Sequence, residues 1–323
     1  MSKENEIITL IMAAGKGTRM KSDKSKLVQK IYDKELVVRV EELAEEIESD
    51  EIIAVVGYLR EQVMNALKDK KKVKYVFQEE LLGTGHAVMQ AKEYLLGRKG
   101  KVVILYGDVP ILRKETVKKL IAKSIDNKEY ATVLSAVYEN PTGYGRIIRD
   151  EGGSIAAIVE EKDASYEQKL IKEINSGIYC FDIEELLLAL DKITPNNAQG
   201  EYYLTDVIKI MNDKGLKTGT LIVEDDTEIL GVNDRMQLDY LSNVLKKRIN
   251  EEHMRNGVSF VDSNNTYIYD NVRIGRDTVI YPNVTIMPGA VIGNDCVIKA
   301  NSYIGSDVII HNKKMIEFGA VIK

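Results

Sequence analysis

Isoleucine stands at every sixth position along the last fifth of the chain: Ile268, Ile274, Ile280, Ile286, Ile292, Ile298, Ile304, Ile310, Ile316 and Ile322. Neither an α-helix nor an ordinary strand meander has that period. A coil built from six-residue units does, because each hexad supplies one short strand and one corner, and the isoleucines stack inside a prism. Small or turn-forming residues, among them Gly275, Gly289, Gly293 and Gly305, fill the intervals. The alternative, a run of hairpins, would need ten isoleucines to keep phase by accident. The repeat therefore predicts a parallel β-helix of about three coils if three hexads make one turn. So short a coil leaves an end and a side uncovered, which predicts self-association.

The first two-thirds follows another rule. Ile7–Met12 is a continuous apolar run that ends in a glycine-rich turn. Helical spacing over Val37–Ile47, Glu61–Leu67 and Gly85–Leu96 alternates with strand-like runs at Glu51–Val56, Val73–Phe77 and Lys101–Tyr106. This rhythm predicts an α/β domain with a Rossmann-like, mixed, mostly parallel sheet, whose strands are buried on both faces. Ligands in such sheets bind beyond the carboxyl ends of the strands, where the Gly15 turn and Asp108 both fall. From Asn233 to Glu252 the pattern is helical, with Met236, Leu238, Leu241, Val244 and Leu245 on one face. The expected organisation is this α/β domain over 1–233, a connecting helix over 234–255 and the short β-helix over 256–323.

Charge and cysteine usage narrow the function. A net charge of -5 gives no support for nucleic-acid binding. Cys180 and Cys296 are far apart, and His86, His253 and His311 are scattered, which argues against a disulfide framework or a zinc site. The apolar run at Ile7–Ala14 leads into a glycine loop rather than a cleavage site, and no stretch has the length of a membrane span. A cytoplasmic protein with no membrane partner is expected.

The chemistry begins at Ala13-Ala14-Gly15-Lys16-Gly17-Thr18-Arg19-Met20. The string is neither a dinucleotide fingerprint, since Met20 takes the third glycine's place, nor a Walker A loop. It still suits phosphate: small residues admit a triphosphate close to the backbone, loop N–H groups form an anion nest, and Arg19 and Lys26 add positive charge. The longer string, Met12 to Met20 followed by Lys26, resembles the signature of the nucleotide-sugar pyrophosphorylases. It is most similar to the N-acetylglucosamine-1-phosphate uridylyltransferase domain that bacteria usually fuse to an acetyltransferase. Further matches fall in the family's order: Gln78 with Leu82–Ala87, Tyr106–Pro110, Pro141–Ile147, Ile158–Ala164, Ile174–Ile178, Asn197–Asp206 and Gly231–Asn233. With the hexapeptide repeat behind them, the resemblance covers nearly the whole chain and implies that the β-helix is left-handed and the protein a homotrimer.

The resemblance implies UTP and N-acetylglucosamine-1-phosphate as substrates, UDP-N-acetylglucosamine and pyrophosphate as products, and Mg²⁺ as cofactor. Met12, Ala13, Ala14, Gly15 and Lys26 would hold the nucleotide, with Arg19 and Lys26 as catalytic cations. Gln78, Gly83 and Thr84 would read uracil, since a side-chain amide and backbone groups match its donor and acceptor edge. Asp108, a carboxylate after a buried strand, suits a hard cation, and Asn233 would be the second ligand. Tyr106, Gly107, Asp108, Gly145, Glu160, Asn175, Tyr203, Thr205 and Asn233 would form the sugar-phosphate side. His86 is expected to cap or pack rather than catalyse, because a phosphate nucleophile needs no base. Two departures stand out. Ser25 precedes Lys26 where the family usually has proline, which removes a fixed φ. The acetyltransferase motifs of the longer relatives are missing, so no acetyl transfer is expected. Rival readings are a related enzyme with another sugar or base, a catalytically silent sugar-nucleotide sensor, and a trimerising scaffold. The four intact residues Arg19, Lys26, Asp108 and Asn233 weigh against the last two.

Overall fold

The computed structural model describes residues 6–323, so the first five residues of the expected α/β domain lie outside it. The chain divides into two units, one comprising the chain up to Lys30 with Lys34–Gln237, the other Ile31–Asp33 with Leu238–Lys323. The chain passes from the first unit to the second within the helix Arg235–Arg255.

The first unit is built on one mixed sheet. Its main row runs Thr218–Ile222, Ala131–Val137, Glu173–Asp182, Gly100–Tyr106, Glu6–Ala13, Glu51–Val56 and Val73–Phe77. Glu173–Asp182 is antiparallel to both neighbours, and the other pairings in this row are parallel. A hairpin of Arg146–Arg149 and Ile155–Val159 joins through Arg146, opposite Ile174. The apolar runs are unbroken because successive side chains go to opposite faces and both faces are covered. Thus Ile8, Leu10 and Met12 pack with Ile53, Val55, Val102 and Ile104, while Ile11 and Ala13 pack with Ile52, Ala54, Val103 and Leu105. Each fully buried Ile, Leu or Val of these runs stabilises the fold by about 1.5–3 kcal/mol before the entropy of ordering is counted. The helix Leu36–Glu46 buries Leu36, Val37, Val40, Leu43 and Ala44, one stripe at helical spacing.

One expectation of the sequence is corrected. The segment Gly85–Leu96 is not one helix but two, Thr84–Met89 and Lys92–Leu95. Gln90 explains the break. Its side-chain Nε2 donates to the His86 carbonyl at 3.0 Å, the acceptor its own backbone N–H would use in an α-helix, and that N–H turns to Ala87 instead. On the helix Arg235–Arg255 the buried residues are Leu241 and Asn250, while Met236 is 79 % exposed. Asn250 donates to the carbonyls of Ser263 and Thr266 at 2.8 and 3.0 Å, which ties the helix to the loop before the repeat.

In the second unit the two-residue strands from Tyr267–Ile268 onward end on the isoleucines, and a preceding strand, Ser259–Phe260, joins out of phase. The strands form three parallel sheets, each strand pairing with the third one on, as in Val279–Ile280 with Val297–Ile298. Three-sided coiling of this kind is consistent with the left-handed parallel β-helix. Ile280, Ile286, Ile298 and Ile304 are fully buried, whereas Ile274, Ile316 and Ile322 are only half-buried. The corners show a second period of six: Asn271, Asp277, Asn283, Gly289, Asp295, Asn301, Asp307, Lys313 and Gly319 all have positive φ. Asn, Asp and Gly adopt that region at least cost. Ile298→Ala should destabilise this unit by about 2–5 kcal/mol in thermal or urea unfolding. Ile309→Ala, at a position 66 % exposed, should change it by less than about 0.5 kcal/mol.

Candidate active site

The parallel register brings the chemistry to one edge. Met12 lies opposite Tyr106 and Ala13 opposite Val56, so the loops that follow these strands leave together. Gly107 N–H donates to the Met12 carbonyl at 3.1 Å, Tyr58 N–H to the Ala14 carbonyl at 3.2 Å, and Gln78 N–H to the Val56 carbonyl at 2.8 Å.

Two clefts open at this edge, each of about 310 Å³. Met12, Ala13, Ala14, Gly15, Lys26, Gln78, Gly83, Thr84, Tyr106 and Asp108 all line the first. Leu27, Leu81, Ala87 and Glu201 complete it. Arg19, Tyr106, Asp108 and Asn233 line the second, with Thr142, Gly143, Tyr144 and Ser176 among their neighbours. Tyr106 and Asp108 belong to both, so the clefts meet there.

At the meeting point the Lys26 ammonium bonds the Asp108 carboxylate, and it donates to Asn233 Oδ1 at 3.2 Å. The Lys26 and Asp108 side chains are only 13 % and 18 % exposed. Val232 N–H donates to the Asp108 carbonyl at 2.8 Å and so holds Asn233 beside Asp108. Lys26 is aimed by local structure. Ser25 caps the short 3₁₀ turn Lys26–Val28 by accepting from Leu27 N–H, and its φ of -52° is close to the value proline would impose. Ser25 N–H in turn donates to Gln62 Oε1 at 2.8 Å. The serine thus keeps by hydrogen bonds the geometry that a ring would fix covalently. Gly17 has a positive φ, and a Cβ there would come within 2.7 Å of Lys26 Cβ, so the glycine turn and the lysine stem need each other's shape.

At the other end of the first cleft, Gly83 has φ +109°, and a Cβ on it would meet the Tyr202 carbonyl at 2.6 Å. The segment from Glu201 therefore folds directly against it. Gly85 N–H donates to the Tyr202 carbonyl at 2.7 Å. Thr84 Oγ1 accepts from Leu204 N–H at 3.1 Å, so its hydroxyl is engaged in joining these segments. Asn197 shapes the loop before them, with Oδ1 accepting from the N–H groups of Gln199 and Glu201, each at 3.2 Å.

Gly145, Glu160, Asn175 and Thr205 form a separate group outside the lining of either cleft, and Tyr203 is likewise in neither lining. Glu160 Oε1 accepts from Thr205 Oγ1 at 3.2 Å, and Asn175 N–H donates to the Gly145 carbonyl at 2.9 Å. Asn175 is heavily engaged, its Nδ2 donating to Tyr179 Oη at 2.7 Å and its Oδ1 accepting from Gly177 N–H at 3.1 Å. Burial raises the Glu160 carboxyl above the ordinary carboxylate range; the Thr205 bond opposes this, and the charges of Asp163, Asp206 and Glu201 add to it. Burial also drives the Tyr106 hydroxyl up, assisted by the charges of Glu160 and then Asp108.

Sequence reasoning at the level of single residues missed Leu27, Leu81, Ala87 and Glu201 in the first cleft, and Thr142, Gly143, Tyr144 and Ser176 in the second. All but Leu27 and Leu81 fall in motif blocks visible in the sequence. Arg146 was missed too. It is 1 % exposed, donates to the Tyr144 and Lys169 carbonyls, and pairs with Glu161 Oε2 at 2.8 Å. The same Glu161 oxygen accepts from Gly143 N–H at 3.3 Å, so Arg146 fastens the loop that walls the second cleft.

The model of the nucleotidyl transferase family matches residues 8–227, which takes in nearly all of the sheet, the whole lining of the first cleft and that of the second up to Ser176, but not Asn233. The chain belongs to this family. Among its relatives is the bifunctional protein GlmU of Caldanaerobacter subterraneus subsp. tengcongensis, 50 % identical over 273 residues, or 84 % of this chain and 59 % of the relative. The protein of the same name from Acetivibrio thermocellus is 49 % identical over 272 residues, with the same two shares. That from Enterococcus faecalis is 46 % identical over 269 residues, 83 % of this chain and 58 % of the relative. The chain thus spans 59 % of the length of the first two relatives.

Arg146→Met should leave the Tyr144 and Lys169 carbonyls without their donor and destabilise the first unit by about 1–3 kcal/mol in urea unfolding. Limited proteolysis should show faster cutting at Pro141–Tyr144 in that variant.

Proposed function

We propose that the chain transfers the uridylyl group of UTP to N-acetylglucosamine-1-phosphate, giving UDP-N-acetylglucosamine and pyrophosphate. The observation that carries this reading is the junction at Tyr106 and Asp108. One cleft runs from it to the amide of Gln78, the other to Arg19 and the Gly143–Tyr144 loop. A base, a chain of phosphates and a second phosphate ester need such a two-armed site.

In this reading an oxygen of the sugar phosphate attacks the α-phosphorus in line. The new O–P bond forms as the bond to the bridging oxygen of the β-phosphate breaks, and pyrophosphate leaves with that electron pair. The nucleophile is already anionic, so no side chain need remove a proton, and the barrier is charge repulsion and positioning. Lys26 and Arg19 neutralise the triphosphate, and the N–H groups of the Ala14–Gly15 turn contribute an anion nest. Asp108 and Asn233 turn two hard oxygen donors towards one cation, the Lys26 ammonium. That donor set fits Mg²⁺, which takes oxygen ligands and keeps several waters. When bound, Mg²⁺ would supply charge neutralisation between the two reacting phosphates. Glu160, with Thr205 and the Gly145 backbone, would accept from sugar hydroxyls. A homotrimer joined through the β-helix accords with the exposure of Ile309, Met315 and Val321 on its strands. Among the described residues no helix is long and apolar enough to cross a membrane, and we place the protein in the cytoplasm.

The deciding experiment is pyrophosphate release with UTP and a panel of sugar-1-phosphates, with and without EDTA, beside an acetyl-CoA assay on glucosamine-1-phosphate. Chelator-sensitive release favouring N-acetylglucosamine-1-phosphate, without acetyl transfer, is expected. Release with no sugar would overturn the reading. Asp108→Ala should lower turnover about 100-fold or more, the scale of losing a key electrostatic group. A pH series tests Glu160. Its raised carboxyl takes up a proton at a higher pH than an exposed one, and the ionised form is the better acceptor. KM for the sugar phosphate should therefore climb early as the pH falls, and Glu160→Gln should flatten that climb.

A further inference from the structure

We infer that His86 determines which nucleobase the first cleft accepts, by holding the amide of Gln78 in one orientation. This deepens the reading in which Gln78 faces the base. Gln78 is 4 % exposed and lines the cleft. Its Nε2 lies 3.1 Å from the Gly83 carbonyl and 3.2 Å from His86 Nδ1. A primary amide nitrogen carries two hydrogens, and these two acceptors take both. Oε1 is then the part of the amide offered to the cleft. An oxygen there requires an N–H on the incoming base. Uracil supplies one at N3, whereas cytosine would set a bare N3 lone pair against the oxygen. Turning the amide over to suit cytosine would set Oε1 against both the Gly83 carbonyl and the imidazole lone pair.

The imidazole can accept at Nδ1 only if its ring proton is on Nε2. That nitrogen lies 3.1 Å from the side-chain nitrogen of Gln90. The amides of Gln78 and Gln90 thus compete for one lone pair, because a neutral imidazole has only one. Gln78 is buried and fixed from two sides. Gln90, half-buried just after the helix Thr84–Met89, already has an acceptor in the His86 carbonyl at 3.0 Å, so its second hydrogen can turn to solvent, whereas the buried Gln78 amide relies on the imidazole for its own; the lone pair falls to Gln78. The ring itself is set beside Tyr202, with centroids 6.2 Å apart. His86 touches no reacting atom in this arrangement, so it is a positioning residue.

The test compares kcat/KM for UTP and CTP in the unmodified chain, His86→Leu, His86→Asn and Gln78→Ala. His86→Leu should lower the UTP-over-CTP ratio about tenfold, the scale of one hydrogen bond. The change should lie mainly in the KM for UTP, with kcat within about twofold. His86→Asn puts Oδ1 where Nδ1 stood and should restore most of the ratio. A ratio taken on one preparation is independent of the folded fraction, so a merely destabilised variant cannot imitate the effect. Nitrogen-15 NMR of the imidazole should show the proton on Nε2; a proton on Nδ1 overturns the inference. If Gln78→Ala lowers the ratio and His86→Leu does not, the inference about His86 falls alone. If Gln78→Ala leaves the ratio unchanged, the base-reading assignment of Gln78 falls, and this inference with it.

Discussion

The parallel pairing of Glu6–Ala13 with its two neighbours is the constraint on which the rest of the first unit depends. Because Met12 faces Tyr106 and Ala13 faces Val56, three strands end level, and their loops emerge at one edge. The glycine turn, Gln78 and Asp108 become neighbours for that reason, although they are far apart in sequence. The ion pair of Lys26 with Asp108 is a product of the same geometry. Sheltering two charges costs desolvation free energy that their attraction only partly offsets, so such a pair is poor evidence of stability. Its significance lies in what each half could bind instead. A polyanion entering the cleft competes for Lys26, and a cation competes for Asp108 and Asn233.

How much of this was legible in the sequence depended on whether a residue's task is local. The apolar runs announced buried strands, since pairing on both edges and burial on both faces are written into consecutive residues. The strand Glu173–Asp182 was harder. It is antiparallel, and its register against Ala131–Val137 shifts between Asn175 and Tyr179, so no simple alternation marks it. The break at Gln90 was illegible for another reason: a side chain took a carbonyl that helix periodicity assigns to the backbone. Ser25 is an instructive case. Read as a departure from its family, it suggested a looser lysine; in the fold it caps the turn and holds nearly the same φ.

In the candidate site the residues at strand ends were readable one by one from their motifs. Those contributed by loops that fold back were readable only as blocks. Glu201 reaches the first cleft because Asn197 curls its loop and Gly83 lets Tyr202 approach. Neither fact can be seen without the fold. Thr84 lines the first cleft and Asn175 lies outside both, yet in each much of the hydrogen-bonding capacity is already engaged within the protein. Recognition by motif does not separate binding from support.

The second unit has a consequence of its own. Val279 pairs with Val297, eighteen residues on, and from Asn271 to Gly319 each corner is turned by a residue in the left-handed region. Adding or deleting one whole turn would therefore leave each remaining side chain facing as before, and would move the end of the coil by about 4.8 Å, one rung of a β-ladder. A change of a single residue would instead rotate all later isoleucines away from the axis. The length of this unit is in effect quantised, and lineages can vary its reach in discrete rungs without re-solving its interior.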